Sequence, residues 1–81
     1  MRTYIYNSDI GTFEIKPLRH ERYELWLDEE LLGSYESAKF AAEDVANFNT
    51  DYVEWDRLKN ELQHFPSDLS KWTRVKEESP E

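Results

Sequence analysis

The sequence contains no cysteine and only two glycines, three prolines and one methionine among its 81 residues. Without cysteine the chain forms no disulfide bond, zinc–thiolate site or thiol nucleophile. The isolated glycines, Gly11 and Gly33, exclude a glycine-rich loop that cradles phosphate. No stretch is apolar enough to span a bilayer, and the opening MRTYIYNSD lacks the hydrophobic run of a signal peptide. We therefore expect a cytoplasmic protein that does not bind membranes.

Acidic side chains outnumber basic ones by 18 to 10, which gives a net charge of −8 at pH 7. The acids are spread along the chain, so their simplest interpretation is solubility, and their field repels nucleic acid at long range. Only 38% of the residues are hydrophobic, but 15% are aromatic, and large rings supply buried area in a short chain. We predict one domain over residues 1–74 and a disordered acidic tail over residues 75–81.

The segment that organises the predicted fold is residues 32–48, LGSYESAKFAAEDVANF. Gly33 permits either an unusual backbone conformation or a close approach, and Ser37 is a good N-cap because its hydroxyl accepts from a first-turn amide. Apolar residues then recur at helical spacing, namely Ala38, Ala41, Ala42, Val45 and Phe48. The pattern predicts a helix whose small buried side chains let it lie flat on a sheet.

Strands precede this helix. Residues 3–7 are β-branched and aromatic, and Tyr4 and Tyr6 share one face of that strand. Alternation over residues 11–18 and 22–27 predicts an antiparallel pair with one apolar face, made of Phe13, Ile15, Tyr23, Leu25 and Leu27. Residues 31–35 form the next strand.

Charge bears on the register of the central pair. One register sets Lys16 opposite Glu24, and a shift by two residues sets Glu14 there instead. The first is favoured, because opposite charges attract across a strand pair while like charges repel.

A second helix is predicted after Thr50, since Asp51 and Glu54 have the spacing of a capping box, and Phe65-Pro66 ends it. A short capped turn follows, whose Leu69 and Trp72 fold back onto the body. The predicted fold class is α+β: a three- to four-stranded antiparallel sheet packed on one face by an alanine-rich helix, followed by a second helix and a short C-terminal turn.

Two families resemble this sequence. Residues 11–48 contain two predicted strands, then the segment LGSY, and then the segment ESAKFAAEDVA. This arrangement resembles the three-stranded sheet plus helix domain of the plant AP2/ERF DNA-binding family. In that family the outer sheet face enters the major groove, and the equivalent face here offers Lys16, Arg22 and Trp26 together with Glu14 and Glu24. Over most of the chain, GTFEI, YELWL, LGSYES, AAEDV, EWDRL and PSDLSKW resemble a family of small bacterial proteins of unknown function. That resemblance implies no activity.

No pattern for catalysis, a cofactor or a metal emerges. The three acids of residues 28–30 lack the ligand spacing and internal glycine of a calcium loop, so a solvated turn is the better interpretation. His20 and His64 have no partner at metal-ligand spacing, and no serine lies in a nucleophile elbow. We therefore expect no catalytic residue, no cofactor and no metal, and a protein that is not an enzyme.

The three tryptophans suggest different roles. Trp55 belongs to a helical stripe and is predicted to be core, and Trp72 is predicted to clamp the C-terminal turn. Trp26 lies on the strand face opposite Leu25 and Leu27. It is either exposed as a contact hot spot or covered by the C-terminal segment or by residues 1–7.

The predicted function is that of a non-catalytic protein-interaction or accessory module. Its partner-binding surface would combine two tyrosines, two basic residues and one tryptophan: Tyr4, Tyr6, Lys16, Arg22 and Trp26. One alternative is nucleic-acid binding through the same face, which predicts steep salt dependence. The other is an acidic mimic of nucleic acid, which requires carboxylates to cluster on one surface, such as Glu43, Asp44, Asp51 and Asp56. We expect a protein partner rather than nucleic acid, and a monomer or homodimer.

Overall fold

The computed structural model describes residues 2–19, 22–61 and 65–76. They form a five-stranded antiparallel sheet with the strand order β4-β3-β2-β1-β5 and helices on one side. The strands are β1 (Arg2–Ser8), β2 (Gly11–Pro17), β3 (Tyr23–Leu27), β4 (Glu30–Tyr35) and β5 (Thr73–Lys76). The helices are α1 (Ala38–Ala46) and α2 (Val53–Asp56), and a 3-10 turn covers Leu69–Lys71. The predicted α+β class is confirmed, with five strands rather than three or four.

The central strand pair has the register that charge favours, with Lys16 opposite Glu24 and Phe13 opposite Leu27. Residues directly opposite each other in an antiparallel pair point to the same face of the sheet. One face of β2 and β3 is therefore apolar, as predicted, and its residues Phe13, Ile15, Leu25 and Leu27 are fully buried. We call this side of the sheet the covered face.

Helix α1 lies on the covered face, as the alanine spacing predicts. Its buried residues are Ala38, Ala41, Ala42 and Val45. The Ser37 hydroxyl accepts a hydrogen bond from the Phe40 amide at 3.2 Å, so the predicted N-cap is confirmed. Of the two roles open to Gly33, the close approach is the one observed, because a Cβ there would lie 3.3 Å from the Tyr35 ring.

The end of α1 places a phenylalanine where helices usually have glycine. The Asn49 amide donates to the Asp44 carbonyl and the Phe48 amide donates to the Val45 carbonyl, which is the Schellman pattern. Phe48 consequently has a φ of 55°, a left-handed conformation that is sterically costly for any residue with a Cβ. Its ring stacks on Trp55 with centroids 4.9 Å apart, and this contact offsets the strain.

Trp55 is buried at the centre of the aromatic core, as predicted. Its indole Nε1 donates to the Val45 carbonyl at 3.0 Å, a buried bond between α2 and α1. The ring also meets Phe13 edge-on at a centroid distance of 4.9 Å. The predicted folding back of Leu69 and Trp72 is confirmed as well, since Trp72 is buried and Leu69 packs against the same core.

The second helix is much shorter than predicted. The prediction of a capping box at its start is wrong. The N-cap of α2 is Tyr52, without a side-chain cap, and Asp51 has a φ of 70°. The Asp56 carboxylate explains this conformation, because it accepts hydrogen bonds from the amides of Thr50 and Asp51 and from the Thr50 hydroxyl. The Asp51 amide, which the Glu54 side chain would have accepted from in a capping box, is therefore bonded to Asp56 instead. Residues 62–64, which the prediction included in this helix, lie outside the described residues.

The predicted disordered tail is wrong for its first two residues. Val75 and Lys76 belong to β5 and pair with Thr3 and Arg2 of β1. Strand β1 pairs with β2 along one edge. The backbone groups along its other edge would have no partner strand without β5, and a short segment is enough to pair with them. Residues 77–81 lie outside the described residues.

Beside Gly11, Asp28 links the turn between β3 and β4 to the start of β2. The Asp28 carboxylate accepts from the Thr12 amide at 3.0 Å, and the Asp28 amide donates to the Thr12 carbonyl at 2.9 Å. Gly11 has a φ of 146°, and a Cβ there would come within 2.5 Å of the Asp28 carboxylate. Residues 28–30 are exposed, in agreement with a solvated turn, but Asp28 also ties this turn to β2.

We expect Gly11→Ala to lower the free energy of unfolding by roughly 1–3 kcal/mol, because alanine does not tolerate this φ. Gly33→Ala is the matched control: its backbone is unstrained, only a side chain opposes the added methyl, and we expect a cost below about 1 kcal/mol. Urea denaturation of both variants measures the difference. Equal costs would contradict the role assigned to the Gly11 backbone.

Phe48 allows a second test. Both Phe48→Ala and Phe48→Gly remove the stacked ring, at a cost of roughly 2–4 kcal/mol for a half-buried phenylalanine. Alanine retains the left-handed strain whereas glycine relieves it, so we expect the glycine variant to be more stable by about 1 kcal/mol. Thermal and urea unfolding measure which of the two variants is more stable. Inside a helix the order would be the reverse, because alanine is more favourable there than glycine. A more stable alanine variant would contradict the assigned conformation.

Candidate functional site

The sheet has a second side, which we call the open face. The strand registers place these residues on it: Thr3, Ile5, Glu14, Lys16, Glu24, Trp26, Leu31, Ser34, Thr73 and Val75. All of them are half-buried or exposed. Within the described ranges no helix lies on this face, because the buried side chains of α1 and α2 belong to the core on the covered face.

Trp26 is the largest side chain of the open face, and it is held in a fixed orientation. Its Nε1 donates a hydrogen bond to the Glu24 carboxylate at 3.0 Å. The Lys16 ammonium lies 4.9 Å from the ring centroid, within the range of a cation–π interaction. Trp26 is half-buried, and these two contacts come from side chains of its own strand β3 and of the neighbouring strand β2.

Lys16 and Glu24 stand opposite each other but use their charges elsewhere. The Lys16 ammonium forms an ion pair with Glu14, two residues earlier on the same strand, at 3.3 Å. Glu24 meanwhile accepts from the Trp26 indole. The predicted register is therefore correct, while the attraction expected between the two side chains is replaced by contacts that surround the tryptophan.

Arg22 stands at the beginning of β3, beside the edge strand β4. Its Nε and Nη2 atoms both donate to the Ser34 hydroxyl, at 3.2 and 3.1 Å. Arg22 is exposed, and no carboxylate of the described residues forms an ion pair with it. It can therefore offer a cation to a bound molecule at this corner of the open face.

The structure does not bring Tyr4 and Tyr6 to the open face, so their grouping with Trp26 is wrong. Tyr4 is opposite Ile15 and Tyr6 is opposite Phe13, which places both tyrosines on the covered face. The reason is the β1–β2 turn, which pairs Ser8 with Gly11. Because side chains alternate along a strand, this register decides which half of β1 reaches each face.

Ile5 and Leu31 occupy the positions that the tyrosines were expected to take. Ile5 is opposite Glu14, which lies between it and Trp26 in the sheet, and Leu31 is directly opposite Trp26 and 49% exposed. Ile5 could have been found from its alternation with the tyrosines. Leu31 could not, because a register shift between Leu25 and Trp26 turns it outward.

The charged residues that the structure places on the open face balance one another, in a chain that is acidic as a whole. It carries two acids, Glu14 and Glu24, and two bases, Lys16 and the neighbouring Arg22. The excess of acidic charge, −8 for the whole chain, is therefore carried outside this set. A neutral patch does not repel another acidic protein as the rest of the surface does.

A cluster of carboxylates surrounds Tyr35 on the helical side. Burial raises the pKa of Tyr35 strongly above its usual value near 10, and so do a hydrogen bond to Asp44 and the charges of Asp44, Asp51 and Asp56. The hydroxyl donates to the Asp44 carboxylate at 2.8 Å. In the part of the chain that the structure describes, no group of three or more His, Cys, Asp or Glu residues is arranged to hold a metal ion. His20 and His64 lie outside it.

Trp72 clamps the C-terminal turn as predicted, at an energetic cost. Its ring meets Tyr6 at a centroid distance of 5.8 Å and Phe13 at 6.2 Å. Its indole N–H is buried without a hydrogen-bond partner in the described residues. An unpaired buried donor costs roughly 1–3 kcal/mol, so the packing of the ring outweighs this penalty.

No protein-family model, curated protein or solved structure matches the chain. The two family resemblances described above therefore remain hypotheses. Over the described residues, no helix has the length and apolar character needed to cross a bilayer. Function is accordingly inferred from the geometry and charge of the surface.

The raised pKa of Tyr35 predicts a loss of stability at alkaline pH. The unfolded tyrosine ionises near pH 10 while the folded one stays protonated, so its contribution is complete below pH 10 and is lost as the pH rises further. We expect Tyr35→Phe to flatten the decline of the unfolding free energy between about pH 10 and 11.5. Urea titrations at each pH measure the slope.

Tyr23→Phe is the control for this measurement. It removes a hydroxyl that has no hydrogen bond to a carboxylate within the described residues, while Tyr35 donates to Asp44. We expect the unfolding free energy to decline less steeply with alkaline pH in the Tyr35→Phe protein than in the Tyr23→Phe protein. Equal declines in the two proteins would contradict the role given to the Tyr35–Asp44 pair.

Proposed function

We propose that this protein is a non-catalytic module that binds another protein through its open face, with Trp26 as the central contact and Arg22 at the corner. One observation carries the proposal: a tryptophan is held in a fixed orientation, on a sheet side that no described helix covers. The proposal includes no catalytic step and no cofactor.

The fixed ring favours binding for an energetic reason. A side chain that must be ordered on binding costs about 0.5–1.5 kcal/mol, and Trp26 is already ordered by Glu24 and Lys16. Tryptophan and arginine are also the residues that most often dominate the energy of protein interfaces. The exposed Leu31 beside Trp26 extends the apolar centre.

The chemistry of the face indicates the kind of partner. Neutral charge with an apolar centre suits a protein surface that offers an apolar side chain to Trp26 and a carboxylate or carbonyl group to Arg22. Five strands about 4.8 Å apart give a face of only roughly 400–500 Å², at the low end for protein interfaces. We therefore propose weak and reversible binding.

Nucleic-acid binding through the same face is less favoured. Phosphate contacts need uncompensated positive charge, but the Lys16 ammonium pairs with Glu14 at 3.3 Å, and Glu24 lies beside it. Among the described residues of this face, only Arg22 then offers a free positive charge to a phosphate backbone. The Glu24 carboxylate on the same face offsets that charge.

The acidic-mimic alternative has one observation in its favour. The charges of Asp44, Asp51 and Asp56 all act on Tyr35, so these three carboxylates lie on one side of the molecule. Asp44 and Asp56, however, already accept hydrogen bonds from the protein's own groups. They are therefore poorly placed to meet a basic partner, and this function ranks after binding through the open face.

The test is a crosslinking capture from the source organism's lysate with the double variant Trp26→Ala/Arg22→Glu. We expect at least a tenfold loss of the captured protein, because removal of an interface hot spot costs about 2 kcal/mol or more. The control variant Phe40→Ala/Arg57→Glu likewise replaces one aromatic residue by alanine and one arginine by glutamate, at exposed positions on the helical side, and we expect it to retain the captured protein.

Two results would contradict the proposal. Unchanged capture by Trp26→Ala/Arg22→Glu would remove these residues from the binding surface. A captured signal that disappears on nuclease treatment and weakens steeply with salt would instead support nucleic-acid binding. Amide spectra of both variants establish that the fold is retained.

A further inference from the structure

A solvent-open cavity, closer in shape to a half-open groove and about 290 Å³ in volume, lies on the covered face, on the opposite side of the sheet from Trp26. Its walls come from β1, β5 and the 3-10 turn, and they consist of Tyr4, Leu69, Ser70, Trp72 and Arg74. Helix α1 packs over β2, β3 and β4, so the last two strands of the sheet are left for this cavity. The inference is independent of the open face.

Arg74 provides an available positive charge at the cavity. It is directly opposite Tyr4 in the β1–β5 pair, so both side chains belong to the covered face. Arg74 is exposed, and no carboxylate of the described residues forms an ion pair with it. A guanidinium group without a partner presents a fork of donors that fits a carboxylate or a phosphate.

The local sequence around the cavity has a charge opposite to that of the whole chain. Residues 69–76, LSKWTRVK, contain three basic residues and no acidic one, in a protein whose net charge is −8. The nearest described acid is Asp68, whose carboxylate accepts from the amide and the hydroxyl of Ser70. Those bonds lower the pKa of Asp68 and keep its charge directed to the 3-10 turn.

The remaining walls are apolar and rigid. Trp72 is 5% exposed and packs against Tyr6 and Phe13, so its ring is fixed before anything binds. Leu69 also packs against the core. The buried Trp72 N–H is closed to atoms of the size of water, so the polar groups that line the cavity are Arg74 and the hydroxyls of Tyr4 and Ser70.

We infer that this cavity binds a small organic anion, a carboxylate or phosphate attached to a compact apolar body. Arg74 pairs with the anionic group, the Tyr4 hydroxyl donates a hydrogen bond to it, and Leu69 and Trp72 enclose the apolar part. The volume, about 290 Å³, lies at the lower end for ligand pockets and suits a molecule of the size of phenylacetate.

The test uses ¹H–¹⁵N spectra of the full chain titrated with phenylacetate, phenyl phosphate, inorganic phosphate and benzyl alcohol. We expect saturable shifts of the Trp72 indole signal and of the amides of residues 69–74 with the two aromatic anions. Whichever binds more tightly identifies the anionic group. Arg74→Gln should weaken this binding at least tenfold, whereas Arg57→Gln, the same change at another exposed position, should leave it unchanged.

Several results would overturn the inference. Benzyl alcohol binding as tightly as the anions would show that Arg74 contributes nothing, and inorganic phosphate binding as tightly would show that the apolar walls contribute nothing. Equal binding by Arg74→Gln and the unaltered chain, or no shift with either aromatic anion at 10 mM, would also contradict it. Signals from residues far from β5 establish that Arg74→Gln remains folded.

Discussion

The hydrogen bond from the Trp55 indole to the Val45 carbonyl is the interaction on which the rest of the fold depends. It joins α2 to α1, and the same ring lies between Phe13 of the sheet and Phe48 at the end of α1. A short four-residue helix has little stability of its own, so its position comes from this buried contact. Removal of a buried tryptophan costs about 3–5 kcal/mol, a large part of the stability of a small domain. The strained Phe48 backbone persists because this packing holds it.

The two faces of the sheet divide the molecule's chemistry. The covered face contains most of the aromatic rings, and packing there fixes α1, α2 and the C-terminal turn. The open face has its charges arranged around one ring, with Lys16 above Trp26 and Glu24 at its N–H. Contacts that order a half-buried tryptophan at the surface contribute little to stability. Their consequence is a preformed shape, which is what a binding surface needs.

The sequence predicts those features whose signals are local, such as the Ser37 cap, the buried stripe of α1 and the β2–β3 register. It does not predict β5, because four residues with two charges lack an apolar pattern and their partner is about 70 positions away. The prediction that Tyr4 and Tyr6 lie beside Trp26 is wrong for a related reason. The two tyrosines do share one face of β1, as their alternation predicts, but the turn after Ser8 decides which face that is. The capping box predicted from Asp51 and Glu54 is absent because the Asp56 carboxylate accepts from the Asp51 amide in place of Glu54. The spacing of residues along the sequence does not show how distant strands pair, nor does it show that a second carboxylate accepts from the same amide.

The pairing of β1 with β5 also determines how the protein responds to mechanical load. Arg2 is paired with Lys76 in an antiparallel register, so the two ends of the described chain lie side by side. A force that separates these ends acts on one backbone pair at a time and opens β5 from β1 like a zipper. Strands pulled along their length would instead share the load among all their bonds. We therefore expect β5 to be released first under tension, while the other four strands stay paired with one another.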